Sequence, residues 1–117
     1  MNTIYYNDLI STIKRTISQL QNDALTTVGS RAFSGCSSLT SIDLPNVTTV
    51  GNDAFSGCSA LTSIDLLNVT TVGSYAFRSC DSLKEIHFAV KNKEAIEALS
   101  SYSNKFGATN ATIYFDI

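Results

Sequence analysis

The string TTVGSRAFSGCSSLTSIDLPNV, residues 26–47, is followed at once by TTVGNDAFSGCSALTSIDLLNV, residues 48–69. The two agree at 18 of 22 positions and differ only at Ser30/Asn52, Arg31/Asp53, Ser38/Ala60 and Pro45/Leu67. A third copy, TTVGSYAFRSCDSLKEIHFAVK, residues 70–91, keeps nine of the second copy's residues: Thr70, Thr71, Val72, Gly73, Ala76, Phe77, Cys80, Leu83 and Ile86. A unit this short cannot bury an apolar face alone. Stacked on copies of itself, it buries the same side chains against the same neighbours. The drift fits such a stack, because apolar positions, one glycine and the threonine pair persist while polar positions change.

Each unit can be read physically. LTSIDL, at 39–44 and 61–66, alternates with a period of two. Ile42 and Leu44, or Ile64 and Leu66, share one face; Ser41 and Asp43, or Ser63 and Asp65, share the other. That predicts a short strand paired in parallel with its copies. Pro45 has no N–H to donate and should end the ladder in a turn. Val47 and Val50 then turn inward, and Gly51 is expected at positive φ. Ala54, Phe55 and Cys58 are spaced like one tight helical turn, with Phe55 the largest core filler. The inward set of the middle copy is Val50, Ala54, Phe55, Cys58, Leu61, Ile64, Leu66 and Val69. Cys36, Cys58 and Cys80 recur every 22 residues. An odd count at repeat spacing is a poor disulfide framework, and too open for a C-x-x-C metal site. A column of buried, reduced thiols is expected.

The pattern L-x-x-I-x-L-P-x-V-x-x-V-G-x-x-A-F-x-x-C resembles the leucine-rich repeat of the BspA-like bacterial surface-protein family. Glycine, Ala-Phe and cysteine fall in register three times between residue 26 and about residue 90. The resemblance implies an α/β fold, a right-handed solenoid of about three 22-residue coils with parallel strands. It implies a non-catalytic interaction or structural module with no cofactor, at a bacterial cell surface or in a phage particle. The implied partner is a protein or surface ligand.

A solenoid leaves its core open at both ends, so caps are expected. Before the repeats, Ile10, Ile13, Ile17 and Leu20 lie on one helical face, with Asn7 as a plausible N-cap. This predicts a helical cap within residues 1–25; an alternative is a helix that pairs with its own twin in a homodimer. After the repeats (26–90), Ile96, Leu99, Tyr102 or Ser103, and Phe106 fall on one helical face, with Asn92 to start it and Gly107 to end it. A last strand, Thr112 to Phe115, should pair onto the final coil and close its edge. The 91–117 segment is thus a helix–strand cap, and 1–117 one domain.

Hydrophobic residues are 44% and charged residues 15% of the chain, which argues for a packed domain. Net charge is −2 with no basic block, so a nucleic-acid or anionic-membrane footprint is not expected. No run approaches the ~18 apolar residues of a membrane span. The start of the chain lacks the pattern of a signal peptide.

Catalytic signatures such as a glycine-rich phosphate loop, G-x-S-x-G or H-E-x-x-H are missing from the sequence. The one histidine, His87, lies in EIHF and should point outward, away from an inward Cys80, which speaks against a Cys–His dyad. Three glycosylation-like triplets begin at Asn46, Asn68 and Asn110; repetition explains the first two. Arg31 is expected to pair with Asp53 one coil away. If the protein binds a partner, the outward strand face should carry the site: Ser41, Asp43, Ser63, Asp65, Glu85 and His87. This acidic patch suits a basic or hydroxyl-rich partner, held less tightly below about pH 6 as His87 gains charge. The alternative is an intracellular enzyme-associated domain with a cleft beside the C-terminal cap, drawing on His87, Glu85 and Asp81.

Overall fold

The computed structural model describes residues 25–117 and the short strand Thr3–Ile4. Its strands are β1 (Thr3–Ile4), β2 (Thr27–Val28), β3 (Thr49–Val50), β4 (Ser63–Leu66), β5 (Thr71–Val72), β6 (Glu85–Phe88) and β7 (Thr112–Phe115). The helix α1 spans Lys93–Glu97. The Thr-Val strands form one parallel sheet in the order β1-β2-β3-β5, and the longer strands a second in the order β4-β6-β7. Thr27 faces Thr49 and Thr49 faces Thr71, a shift of one repeat at each step. Likewise Ile64 faces Ile86, which faces Ile113. Every copy therefore lays the same residue over its counterpart.

That register builds the core. All eight residues of the middle inward set are at most 2% exposed. Phe33, Phe55 and Phe77 stack in a column, with centroids 5.1 and 5.5 Å apart and rings within 8° of parallel. The backbone beside them is laddered too. The Phe33 N–H donates to Ala54 O and the Phe55 N–H to Ala76 O, each at 2.7 Å. The thiols form a third column, all buried and none disulfide-bonded. Cys58 Sγ donates to Phe33 O at 3.2 Å, and Cys80 Sγ to Phe55 O at 3.0 Å. Burial pushes the Cys80 thiol up to about 11, so it stays protonated and unreactive at neutral pH. Replacing Cys58 by alanine removes both packing and the S–H bond and should cost about 1–3 kcal/mol in a denaturation experiment. Native protein should resist thiol-labelling reagents until it unfolds; fast labelling of all three thiols would contradict the column.

Several expectations are corrected. The segment 39–44 is not a strand like 63–66; Asp43 alone makes an isolated bridge. Pro45, which has no N–H to donate, stands where the second repeat has Leu67, one residue past the end of β4, so it marks the end of the segment and does not explain the missing ladder within it. Gly51 does not take a positive φ; the left-handed glycines are Gly35, Gly57 and Gly107. Gly51 is needed for another reason. A Cβ there would lie 2.7 Å from Ser30 N and 2.8 Å from Gly29 C, the backbone of the preceding repeat. Arg31 does not pair with Asp53, whose partner is Arg78 at 3.2 Å.

The single helix expected across 92–107 is broken. A tight turn at Val90–Asn92 leads into α1, and a second, kinked turn follows at Tyr102–Gly107. Ser100 and Ser101 before the second turn, and Ser103 and Asn104 within it, favour turns over helix. Lys105 and Phe106 are left-handed, at φ 57° and 55°. The break delivers Phe106 to the stack. Its carbonyl accepts the Phe77 N–H at 2.9 Å, the role that Ala76 and Ala54 play one and two repeats earlier. The final strand lies where the sequence placed it, Thr112–Phe115, parallel to β6. The helix expected over residues 7–21, and with it the twin-helix dimer, lies outside the described residues.

Candidate functional site

The outward face of the second sheet is set by strand alternation. In β4 and β6 the inward side chains Ile64, Leu66, Ile86 and Phe88 are buried, which turns Ser63, Asp65, Glu85 and His87 to the other side. Parallel pairing aligns these in rows: Ser63 with Glu85 and Thr112, Asp65 with His87 and Tyr114. Ser41 and Asp43 are exposed, outside the regular ladder. The structure therefore groups four of the six expected residues in a sheet and leaves Ser41 and Asp43 at its flank.

His87 is more enclosed than a surface histidine, its side chain 17% exposed. The Tyr114 ring stacks on it at 5.0 Å. Nε2 meets Glu85 Oε1 at 2.8 Å, and Nδ1 meets Asp116 at 2.8 and 3.0 Å. Both ring nitrogens face carboxylates, an arrangement that suits the doubly protonated ring. Partial desolvation acts to lower its pKa, but the bonds to Asp116 and Glu85, with the charges of Asp116 and Asp65, prevail and raise it above the ordinary 6.5. The charge on His87 thus appears at a higher pH than the value near 6 expected from sequence. Cys80, bonded inward to Phe55 O, takes no part, and neither does Asp81.

The sign of the resulting pH dependence follows. A raised folded-state pKa contributes stability that is fully present below the unfolded value of 6.5 and is lost as pH rises through the folded value. His87→Gln should therefore be most destabilising, relative to wild type, near pH 6 and least so near pH 9. Thermal melts of both proteins across that range check it; a gap that widens with pH would contradict it.

Beside the histidine row, Asp43 and Asp65 line a concavity of about 280 Å³ with Leu44, Pro45, Leu67 and Ile117. Neither carboxylate makes an ion-pair contact among the described residues, although the charge of Asp65 is felt by His87 beside it. Leu67 and Ile117 are 43% and 44% exposed, so the acidic floor has an apolar rim. The sequence reading missed Asp116, Tyr114, Leu67 and Ile117. The signal for the first two was present: the alternation of ATIYFDI, once pairing with β6 is assumed, places Tyr114 and Asp116 on the face of His87. Ile117 is brought there by backbone bonds, Val90 N–H to Ile117 O at 2.9 Å and Ile117 N–H to Phe88 O at 3.4 Å. Among the described residues, no three His, Cys, Asp or Glu side chains converge as metal ligands would, and no helix is long and apolar enough to cross a membrane.

Comparison with known proteins gives three findings. No curated protein matches the chain. A leucine-rich repeat protein of Bacteroides ovatus, known from its crystal structure, aligns at 21% identity and a TM-score of 0.45, over 84% of this chain and 36% of its own. The chain thus spans little more than a third of that protein's length. The model of the BspA-type leucine-rich repeat region matches in six copies across residues 2–113, past both ends of the three copies at 26–91. With its strands paired in parallel at repeat spacing and that match over nearly its whole length, the protein belongs to the BspA-type leucine-rich repeat family, whose repeats serve as interaction or structural modules.

Proposed function

We propose that the protein is a non-catalytic interaction module that receives a basic partner on the outward face of β4, β6 and β7. The observation that carries this reading is the acidic, apolar-rimmed concavity of Asp43 and Asp65, neither of which makes an ion-pair contact among the described residues. Around it Glu85 and Asp116 add carboxylates, and His87 offsets only one of the four charges. A lysine or arginine side chain fits such a site, since its charged head meets the carboxylates while its aliphatic stem lies on Leu67, Pro45 and Ile117. The reading takes the repeats as one right-handed solenoid of about three 22-residue coils with a cap at each end; the pairing of β2, β3 and β5 supports the stacking of its coils at repeat spacing. A sheet face of this kind is rigid and needs little ordering on binding.

The test is a titration with a lysine-rich peptide at low and moderate salt. Binding should weaken as salt rises, because exposed charges are screened. It should also weaken as pH falls through the raised His87 pKa, which adds positive charge to the face. Asp43→Lys with Asp65→Lys should abolish binding while changing stability by less than about 1 kcal/mol. Unaltered affinity in the folded double variant would place the site elsewhere.

A further inference from the structure

A second concavity, of about 360 Å³, is lined by Arg31, Ser34, Asp53, Ser56 and Arg78. It is built from two positions of the repeat. Arg31 and Asp53 share one position with Tyr75; Ser34 and Ser56 share the other with Arg78. Three successive copies thus contribute to one groove. Packing of the stack does not ask for these side chains. Arg31/Asp53 is one of only four positions at which the first two copies differ. The backbone there is left-handed in all three copies, at φ 61°, 56° and 58° for Arg31, Asp53 and Tyr75. That conformation is unfavourable for arginine and tyrosine, whereas glycine or asparagine would adopt it readily. The turn belongs to the repeat, since the Arg31 N–H donates to Asn52 O and the Asp53 N–H to Ser74 O; what varies between copies is the side chain it projects.

The charges are arranged for an anion. Arg78 Nη2 lies 3.2 Å from Asp53 Oδ1, and the same guanidinium sits over the Tyr75 ring at 4.9 Å. The contact is an ion pair by distance only: Oδ1 is buried and accepts no hydrogen bond. Asp53 and Tyr75 thus lie against the Arg78 guanidinium without a hydrogen bond from the Asp53 Oδ1 side, which leaves its N–H groups for a ligand. Arg31 has no side-chain hydrogen bond or ion pair among the described residues. Two arginines thus line one concavity with a single carboxylate, which is paired with only one of them, and Ser56 of the middle copy lines it too. Arginine forks match the planar oxygens of carboxylate and phosphate.

We propose that this groove binds an oxyanion, the carboxylate or phosphate group of a small polar ligand, between Arg31 and Arg78. The site is separate from the acidic strand face and takes the opposite charge.

The experiment is an NMR titration of the whole protein with inorganic phosphate and, separately, with acetate, at ionic strength held constant with chloride. Saturable amide shifts around residues 53–57 and 78 are expected, with Kd on the order of 1 mM. Saturation by phosphate alone assigns a phosphate-bearing ligand, saturation by acetate alone a carboxylate, and saturation by both the shared chemistry. Arg31→Asn and Arg78→Gln should each weaken binding about tenfold, while Asp53→Asn, which removes the competing carboxylate, should tighten it several-fold. Asparagine tolerates the left-handed backbone at 31 and 53, so these variants keep the fold. Shifts that stay linear with both anions to about 50 mM, or an unchanged Kd in the Arg31→Asn, Arg78→Gln double variant, would overturn the proposal.

Discussion

Phe55→Ala is expected to lower the stability of the protein by about 3–5 kcal/mol. Phe55 is fully buried and lies between Phe33 and Phe77 in the ring column. Its loss leaves a cavity that neither neighbour can fill, because their backbones are pinned. The Phe33 N–H is tied to Ala54 O and the Phe77 N–H to Phe106 O. Two stacked contacts go as well, each worth about 0.5–1.5 kcal/mol beyond buried area, and already part of the measured cost of such truncations. A domain of this size has a total stability of about 5–15 kcal/mol, so the variant should sit close to unfolding. Chemical denaturation with circular dichroism measures the loss. A variant within about 1 kcal/mol of wild type would mean that the column does not hold the stack together.

Gly73→Ala should rank next, at about 3 kcal/mol or more. Its backbone φ is not in the left-handed region, so the cost comes from space. A Cβ there would stand 2.5 Å from Asn52 N and 2.8 Å from Gly51 C. These are backbone atoms of the previous repeat and cannot swing aside. Relief requires parting the two repeats, which strains the Gly73 N–H bond to Val50 O and the Ser74 N–H bond to Asn52 Oδ1, both 2.8 Å. Gly35→Ala is the control. Gly35 has open space around it but a φ of +77°, so it should cost only about 1–2 kcal/mol from left-handed strain. If Gly35→Ala proves the more damaging of the two, contact between repeats is not what limits this position.

The core was legible in the sequence because its cause is periodic. A 22-residue repeat states its inward residues three times, and drift in the third copy separates packing positions from decoration. Phe55, Cys58 and Ile64 could hardly be misplaced. Gly51 shows where such reading stops: a string identifies a glycine that must be glycine, but not whether torsion or proximity demands it. The break at Lys105–Phe106 was hidden for a different reason. The 3-3-4 spacing of Ile96, Leu99, Tyr102 and Phe106 suggests a helix, yet Phe106 O is required beside Phe77 N–H, a tertiary demand that local spacing does not encode. The strand face was legible as far as the repeats ran. Tyr114 lies in a strand beyond them and Asp116 just after it, so the clamp on His87 emerged only when β7 was seen to pair with β6. The Arg31–Asp53–Arg78 groove depends on left-handed turns at non-glycine residues, for which sequence offers little warning.

Both sites depend on one claim, that successive copies lie over one another in register. A NOESY spectrum of protein with labelled phenylalanine rings tests it most directly. Centroid separations of 5.1 Å for Phe33–Phe55 and 5.5 Å for Phe55–Phe77 require cross-peaks between the rings of each pair. Phe33 and Phe77, on opposite sides of Phe55, should show none. The in-register stack predicts that pattern, and a Phe33–Phe77 contact or the loss of either adjacent pair would contradict it.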